Sequence, residues 1–358
     1  MSMLKWTGRI IMLLSIMGLL SGCWDNKDIN HRTLPLIMGV SLTDHEYKII
    51  MQVPELIHDS VEIKMISETG KTINQAIDKI SVNLEKQVDL LHIKVIILER
   101  KLAERGMKDA ISGFMRSEEI SDKAYIVICD EDLNDFFNHL NKTIDPKGMT
   151  LYNFFEKNAG WNPQISISPI WQVYRSIHSY TRDVAIPMIK AGTSTICDYT
   201  GSAVIKNGKM IERITPDETL LFNAFNEQST QGKIEVMDHA SVLIVHNSLK
   251  HTTSLTNNKP YMQSQMKLKV VILETRGNPT SAVIKQEIDK LLTLRFQQLF
   301  NKIQKSKADI LGIGQHFRNK IPRQELVRWR TDYFPNLELS LRIVTDIQNE
   351  GYLKISAD

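Results

Sequence analysis

Apolar and polar residues follow different patterns along this chain, and each pattern predicts a different kind of element. HIKVIILE, residues 92–99, and AYIVICD, residues 124–130, are compact and mainly apolar, which is typical of buried strands. Between such runs, apolar residues recur every three or four positions, which predicts helices. This alternation of strands and helices, from about residue 34 to residue 140, favours an α/β unit with a partly parallel sheet.

Short local signals predict where several elements begin and turn. Thr72 precedes an apolar-periodic stretch, and a glutamine follows three residues later, which is the spacing of a helix capping box. Thr215 and Glu218 repeat that spacing before a second, shorter helix. Asn207 and Gly208 lie between two strand-like arms and predict a tight hairpin turn, because both residues tolerate positive φ.

The chain changes its pattern near residue 201. Residues 233–277 alternate between apolar and polar side chains, which predicts three strands of an antiparallel meander. Residues 281–317 predict one long helix, bent near its end, whose apolar residues form a single stripe: Ile284, Ile288, Leu291, Leu292, Leu299 and Ile303. A last alternating segment, residues 333–351, predicts one more strand.

Together these patterns predict a multi-domain α/β protein, of the mixed α+β kind, with helices packed on mixed sheets. A chain of 358 residues exceeds the size at which one hydrophobic core stops growing, which favours two or three domains. The predicted division is an N-terminal α/β domain over residues 23–196 and a C-terminal α+β domain over residues 197–358, connected by residues 193–200. A small middle domain near residues 197–225 is an alternative.

The first 23 residues carry the features of a bacterial lipoprotein signal in the right order. Two basic residues are followed by an apolar run, residues 10–20, which is too short to span a bilayer comfortably. The sequence Leu-Ser-Gly then stands directly before Cys23. We expect removal of residues 1–22 and attachment of a diacylglyceryl group to Cys23, which anchors the chain to a membrane. An uncleaved anchor or a buried hydrophobic helix is the alternative.

The composition and the motifs of the chain argue against several kinds of chemistry. The formal net charge of +3 gives no global electrostatic argument for nucleic-acid binding. Cys129 and Cys197 are either buried thiols or a disulfide. His246 and His251 are five residues apart on a predicted strand and its exit, so one strand face cannot present both as zinc ligands. The sequence also lacks the Walker loop of nucleotide-binding proteins and the G-x-S-x-G elbow of serine hydrolases. We therefore expect no enzyme activity, cofactor or metal.

Two further clusters have both a functional and a structural interpretation. The first is an acidic cluster of four residues: Asp130, Glu131, Asp132 and Asp135. It lacks the central glycine and the terminal glutamate of a calcium-binding loop. Its place before a predicted helix favours a structural role at the start of that helix. Four aromatic residues either line a groove or pack a helix onto the sheet: Trp161, Trp171, Tyr174 and Tyr180. The lysines of the long helix favour a solvated face over a lipid-headgroup or partner surface.

Three motifs resemble those of one known family. LSGCWDNKDI, residues 20–29, resembles the start of the C subunit of spore germinant receptors, the lipoprotein members of the Ger(x)C family. GSAVIKNGKMI, residues 201–211, is similar to the opening of that family's second domain. Residues 308–351 resemble its C-terminal signature, with matches at Ala308, Asp309, Gly312, Gly314, Trp329, Phe334 and Pro335. The sequence departs from that signature at Leu311, at Ile313 and around Gln324.

The resemblance implies an extracytoplasmic, non-catalytic lipoprotein of mixed α/β domains. It implies a place on the inner spore membrane with an A subunit and an integral-membrane B subunit, in a receptor that senses nutrients and triggers germination. The implied role is receptor assembly or signalling. The region from Trp329 to Pro335 is expected to pack on the stripe of the long helix or on a partner subunit, so Trp329, Phe334 and Pro335 are the candidate partner surface.

Two other classes of protein are alternatives to this interpretation. A solute-binding lipoprotein of an uptake system would need two similar lobes around a polar cleft, and the halves of this sequence show no internal repeat. A lipid-anchored enzyme would need a clustered acid, base or metal set, which the spacing of the polar residues does not indicate.

Overall fold

The computed structural model describes Trp6 and residues 32–57, 60–117, 119–143, 151–155, 163–226, 228 and 231–349. Cys23, the predicted lipid attachment site, lies outside these residues, as does Trp161. Within the described ranges, no helix is both long enough and apolar enough to cross a membrane. The predicted mixture of sheets and packed helices is confirmed.

Strands and helices alternate along most of the described chain. The strands are β1 Arg32–Thr33, β2 Ile37–Thr43, β3 Glu46–Ile57, β4 Ser60–Gly70, β5 Gln87–Val88, β6 Val95–Glu99, β7 Tyr125–Cys129, β8 Val184–Ala191, β9 Cys197–Lys206, β10 Lys209–Ile214, β11 Ile234–Val236, β12 Ala240–Thr256, β13 Lys259–Thr275 and β14 Glu338–Asn349. The α-helices are α1 Ile73–Val82, α2 Arg100–Arg105, α3 Lys108–Arg116, α4 Leu133–Thr143, α5 Ile170–Ile177, α6 Pro216–Phe225 and α7 Ser281–Ser306. Residues 151–155 add a helical turn.

An eight-stranded mixed sheet forms the larger layer of the fold. Its strand order is β10-β9-β8-β7-β6-β2-β3-β4. The four central strands β8, β7, β6 and β2 are parallel, and antiparallel strands extend the sheet at both edges. A parallel pair needs a long crossover connection, which here always contains helices. The partly parallel sheet predicted from the strand and helix order is therefore confirmed.

Helices cover both faces of this sheet, which explains the compact apolar runs in the sequence. On one face, α1 packs on β3 and β4, and α3 packs on α5, which lies on β7 and β8. These helices bury Ile80, Ile111 and Val173 in one apolar cluster. On the other face, α4 packs Phe136 and Phe137 against the sheet. Because both faces are covered, a central strand such as β6 is buried at every position and shows no alternation of apolar and polar residues.

A four-stranded sheet with the order β11-β12-β13-β14 forms the second layer. The first three strands are antiparallel, as predicted, whereas β14 pairs in parallel with β13. Helix α7 supplies the crossover between β13 and β14 and buries seven side chains: Ile284, Ile288, Leu292, Phe296, Leu299, Phe300 and Ile303. Burial of each such side chain contributes roughly 1.5–3 kcal/mol relative to exposure, so the apolar stripe holds the helix on the sheet.

The long helix ends earlier than its sequence pattern predicts. It stops at Ser306 rather than residue 317, because Lys307 adopts the left-handed conformation with a φ of 55° and its N–H bonds to carbonyls of the last turn. The apolar residues beyond it continue the core through short 3-10 and π turns over residues 313–317 and 326–336.

The predicted local signals are confirmed at three places. The Thr72 hydroxyl accepts a hydrogen bond from the Gln75 N–H and starts α1. Thr215 forms a complete capping box with its partner three residues later and starts α6. Asn207 and Gly208 have φ of 51° and 76° and make the tight turn between β9 and β10.

The eight-stranded sheet continues across the predicted domain boundary at residue 197. Strand β9 begins at Cys197 and pairs with β8, from Cys197 opposite Ala191 to Ile205 opposite Val184. Part of the predicted connection, residues 193–200, is therefore strand. The described residues form one sheet of eight strands, one of four and a short parallel pair of β1 and β5. The two larger sheets differ in strand order and direction. These are not the two similar lobes that the solute-binding alternative requires.

Candidate functional site

The predicted partner residues Trp329 and Phe334 lie inside the protein. Both are 0% exposed, so a partner subunit cannot reach their side chains in this structure. Phe334 packs edge-on against Phe300 of α7, with ring centroids 6.3 Å apart. The expected packing on the long helix is therefore confirmed, and the prediction of a partner surface at Trp329 and Phe334 is wrong. Pro335 is half-buried and stays a predicted contact.

A buried carboxylate organises this part of the chain. Asp309 is 0% exposed and accepts hydrogen bonds from the Ile313 N–H at 2.9 Å, the Gly314 N–H at 2.7 Å and the Trp329 Nε1–H at 2.9 Å. Burial raises the pKa of Asp309 to about 6, and these hydrogen bonds oppose the rise. The carboxylate thus fixes both the turn that follows α7 and the orientation of the indole ring.

A second buried carboxylate joins this turn to the eight-stranded sheet. Asp183, directly before β8, accepts hydrogen bonds from Arg330 Nε at 3.0 Å and Arg330 Nη2 at 2.7 Å, and from the Asp309 N–H at 2.9 Å. Arg330 Nη2 also donates to the Ser179 and Arg182 carbonyls. Burial raises the pKa of Asp183, although Arg330 opposes this. The bidentate ion pair therefore holds the C-terminal segment against the sheet.

A cleft of about 1170 Å³ opens beside this buried network. One wall is formed by residues between 174 and 182, from the end of α5 to the loop before β8. The other wall is formed by Gln315, Arg318, Asn319, Arg323 and Leu326. Four arginines line it: Arg175, Arg182, Arg318 and Arg323. Among the residues that the structure describes, no aspartate or glutamate lines the cleft. We call this feature the arginine cleft.

Aromatic residues singled out in the sequence stand at the arginine cleft. Tyr174 and Tyr180 line it, which supports the groove interpretation for these two residues. Tyr174 also packs against the core under α5, and its ring lies 4.4 Å from that of His178. Trp171 is 39% exposed, and the guanidinium carbon of Arg175 lies 4.9 Å from its ring centroid. This cation–π contact places Arg175 at the edge of the cleft.

The acidic cluster has the structural role predicted for a helix start. Asp132 accepts hydrogen bonds from the backbone N–H groups of Asn134 and Asp135 in the first turn of α4. Asp130 forms ion pairs with Arg100 at 2.9 Å and Arg213 at 3.2 Å. In the described part of the chain, no group of three or more His, Cys, Asp or Glu residues is arranged to hold a metal ion.

Three of the remaining titratable candidates, Cys129, Cys197 and His251, are buried or half-buried in the protein. Cys129 and Cys197 are free, buried thiols, which decides between the two alternatives open in the sequence, and burial raises the pKa of each to about 12. The ring of His251 contacts the Ser264 hydroxyl at 2.9 Å and lies 4.8 Å from the ring of His316. Burial lowers the pKa of His251 to about 4, so its imidazole is neutral at physiological pH.

Sequence reasoning did not single out the arginines of this region. Arg318, Arg323 and Arg330 lie within thirteen residues of a chain whose formal net charge is only +3. This local density of arginine is the sequence feature that could have indicated the cleft. The role of Asp183 was not predictable from the sequence, because its partner Arg330 is 147 residues away along the chain.

Two family models match the chain in succession. The model described as the spore germination protein N-terminal domain matches residues 25–191. The model described as spore germination B3/GerAC like, C-terminal, matches residues 200–351. Together they cover nearly all of the chain that follows the predicted signal, and they meet close to the predicted boundary at residue 197.

Curated relatives match at low identity over most of their length. Spore germination protein KC of Bacillus subtilis (strain 168) is 22% identical, with 96% of this chain and 95% of the relative covered. Spore germination protein B3 of the same organism is 23% identical, with 89% of each covered. Spore germination protein A3, also of that organism, is 24% identical, with 96% and 98% covered.

A solved structure shares the fold. The crystal structure of the GerBC protein matches with a TM-score of 0.59 at 19% identity, over 87% of this chain and 97% of that chain. The arrangement of sheets and helices described above is therefore similar to a known protein architecture.

Proposed function

Because the chain belongs to the family of spore germination proteins represented by these two models, we propose that it is the lipid-anchored C subunit of a nutrient germinant receptor. The match of both models in succession, over residues 25–191 and 200–351, is the observation that carries the proposal. In this role the chain acts without catalysis and is needed for assembly or signalling of the receptor that triggers spore germination.

The lipoprotein signal supports a place on the extracytoplasmic face of the inner spore membrane. Two or three acyl chains on Cys23 give stable anchoring, whereas one chain gives only marginal, reversible binding. Nine residue steps separate Cys23 from Arg32, the first residue of β1, and an extended chain of that length reaches roughly 30 Å. The start of the described fold is therefore held close to the lipid surface, where an integral-membrane partner is within reach.

The internal use of polar groups supports an assembly role. Inside the protein, Asp183 accepts hydrogen bonds from the Asp309 N–H and from the Arg330 guanidinium. These bonds join the eight-stranded sheet to the C-terminal segment. A rigid body of this kind is suited to hold or couple the A and B subunits. The surfaces that meet those subunits are part of the proposal, and half-buried Pro335 is one expected contact.

A Cys23→Ala variant tests the anchor and the receptor role together. In a spore former whose own copy is deleted, we expect this variant to lose incorporation of labelled fatty acid, retention in the inner membrane fraction and the nutrient response of the spores. The matched control is Ser21→Ala, which keeps a small residue before the cleavage point and should behave as wild type. Continued fatty-acid labelling of the Cys23 variant would contradict the anchor.

Affinity purification of the wild-type chain from spore inner membrane tests the partners. We expect two co-purifying proteins with the properties of the A and B subunits. Recovery of ATP-binding-cassette components instead would overturn the proposal in favour of a solute-binding lipoprotein.

A further inference from the structure

The arginine cleft has no role in the function proposed above. It lies where the loop between α5 and β8 meets the turns that follow α7. Arg175, Arg318 and Arg323 are exposed and Arg182 is half-buried, so guanidinium groups stand on both walls. A concentration of positive charge in a concave site raises the local potential well above that of a flat surface with the same charges.

The carboxylates nearest to the cleft in sequence are held elsewhere. Asp183 is bound by Arg330 beneath the cleft. Glu325 contacts Arg328 at 3.2 Å and accepts a hydrogen bond from the Tyr333 hydroxyl. Among the described residues, Arg175, Arg318 and Arg323 form no ion pair with an acidic side chain. The positive charge of these three groups is thus not neutralised within the protein.

The walls of the cleft are connected and ordered. Gln315 Nε2 donates to the Thr181 hydroxyl across the cleft at 2.6 Å. A Cβ atom at Gly312 would lie 2.7 Å from Arg182 Nε, so the absence of a side chain lets the Arg182 guanidinium lie against the backbone. Gly312 has a φ of 66°, a conformation that glycine adopts without strain. The position of the Arg182 guanidinium is therefore built into the fold.

We propose that the arginine cleft binds a phosphate-bearing anion. A guanidinium presents its donors in a planar fork that matches carboxylate or phosphate oxygens. One carboxylate is satisfied by one such fork, whereas four guanidinium groups suit an anion with several charged oxygens, such as phosphate. His178, Tyr180 and Asn319 also line the cleft and add further hydrogen-bond donors. The volume of about 1170 Å³ admits a phosphate together with the group that carries it.

Two sources offer this chemistry: a soluble phosphorylated compound and the phosphodiester headgroup of an anionic lipid. The test uses the full-length chain purified in nonionic detergent and titrated by calorimetry at constant ionic strength. The probes are inorganic pyrophosphate, glycerophosphoglycerol as the deacylated headgroup of phosphatidylglycerol, and the zwitterion glycerophosphocholine. Acetate serves as the monocarboxylate comparison.

The cleft variant is Arg318→Gln with Arg323→Gln. Both arginines are exposed, so the fold should be unaffected, which unfolding by urea verifies. The matched control is Arg105→Gln with Arg276→Gln, which removes the same charge from exposed positions outside the cleft. Because each guanidinium–phosphate hydrogen bond contributes roughly a tenfold factor in affinity, we expect the cleft variant to bind at least about tenfold more weakly than wild type and the control to bind equally.

Each outcome decides the proposal. Stronger binding of pyrophosphate identifies a soluble phosphorylated ligand, and stronger binding of glycerophosphoglycerol identifies a lipid headgroup. The proposal is overturned if neither pyrophosphate nor glycerophosphoglycerol binds in a saturable way, or if acetate binds as tightly as these two probes. It is also overturned if the cleft variant and the control variant weaken binding equally.

Discussion

Gly314 lies at the tightest contact of the buried network, and its replacement by alanine should disturb that network. An alanine Cβ at this position would lie 2.7 Å from Cε2 and Nε1 of Trp329 and 2.9 Å from Cβ of Thr181. Contacts shorter than 3.0 Å between such atoms force a displacement. Gly314 does not have positive φ, so the effect of the substitution is steric and includes no backbone strain.

The Trp329 ring has little space into which it could move, and this determines how much stability the Gly314→Ala substitution removes. It is fully buried, lies 5.4 Å from the ring of Phe317 and 6.1 Å from that of Phe334, and donates its Nε1–H to Asp309. Overpacking of a filled core costs about 1–3 kcal/mol. Loss of the bond to a buried carboxylate adds about 1–3 kcal/mol. We therefore expect Gly314→Ala to lower the free energy of unfolding by about 2–6 kcal/mol.

Urea titration followed by tryptophan fluorescence measures this change and reports on the displaced indole. The matched control is Gly113→Ala within α3, where an added Cβ has no heavy atom within 4 Å. Alanine in a helix interior is favoured over glycine by roughly 0.5–1 kcal/mol, so the control should be slightly more stable than wild type. Unchanged stability and unchanged emission in Gly314→Ala would refute the steric argument.

Three further predictions concern buried charges and thiols. Arg330→Met leaves the Asp183 carboxylate buried without its ion pair, so urea titration should show a loss of about 3–5 kcal/mol in the free energy of unfolding. Arg330→Lys should lose less, and equal stability of the Met variant and wild type would contradict the prediction. The pKa of His251 is lowered by burial from 6.5 to about 4, so this residue takes up a proton more readily in the unfolded chain than in the folded one. The contribution of His251 to stability should therefore fall as the pH drops from 6.5 towards 4. His251→Gln should flatten this fall in thermal unfolding, and an unaltered slope would argue against it. Cys129 and Cys197, with pKa values near 12, should react with maleimide only after denaturation, and fast labelling of the native protein would count against their burial.

Local structure was predictable from this sequence where the signal itself was local. The hairpin at Asn207 and Gly208 and the capping box at Thr215 follow from the conformations and hydrogen bonds of neighbouring residues. The strands of the central sheet were recognisable because burial on both faces leaves an unbroken apolar run, as in β6. These features need no knowledge of distant contacts.

Features that depend on distant contacts were not predictable in this way. The parallel pairing of β14 with β13 follows from the crossover through α7, which the alternation within β14 does not encode. Trp329 stands beside basic and polar residues in sequence, which resembles a surface patch, yet the turn fixed by Asp309 directs its ring inward. The arginine cleft exists only because residues 174–182 and 315–326 meet in the fold.

The continuation of the eight-stranded sheet across residue 197 limits how the two halves of this chain can be separated. A fragment that ends at residue 196 would lack β9 and leave the backbone groups of β8 open to pairing with another chain, which favours aggregation. A hybrid that exchanges the C-terminal half with that of a relative would have to rebuild the ladder from Val184 to Ala191 against a foreign strand. The two halves are recognised by separate family models, but they are joined by the hydrogen bonds between β8 and β9. We therefore expect the sequences of the two halves to have evolved together and not as exchangeable modules.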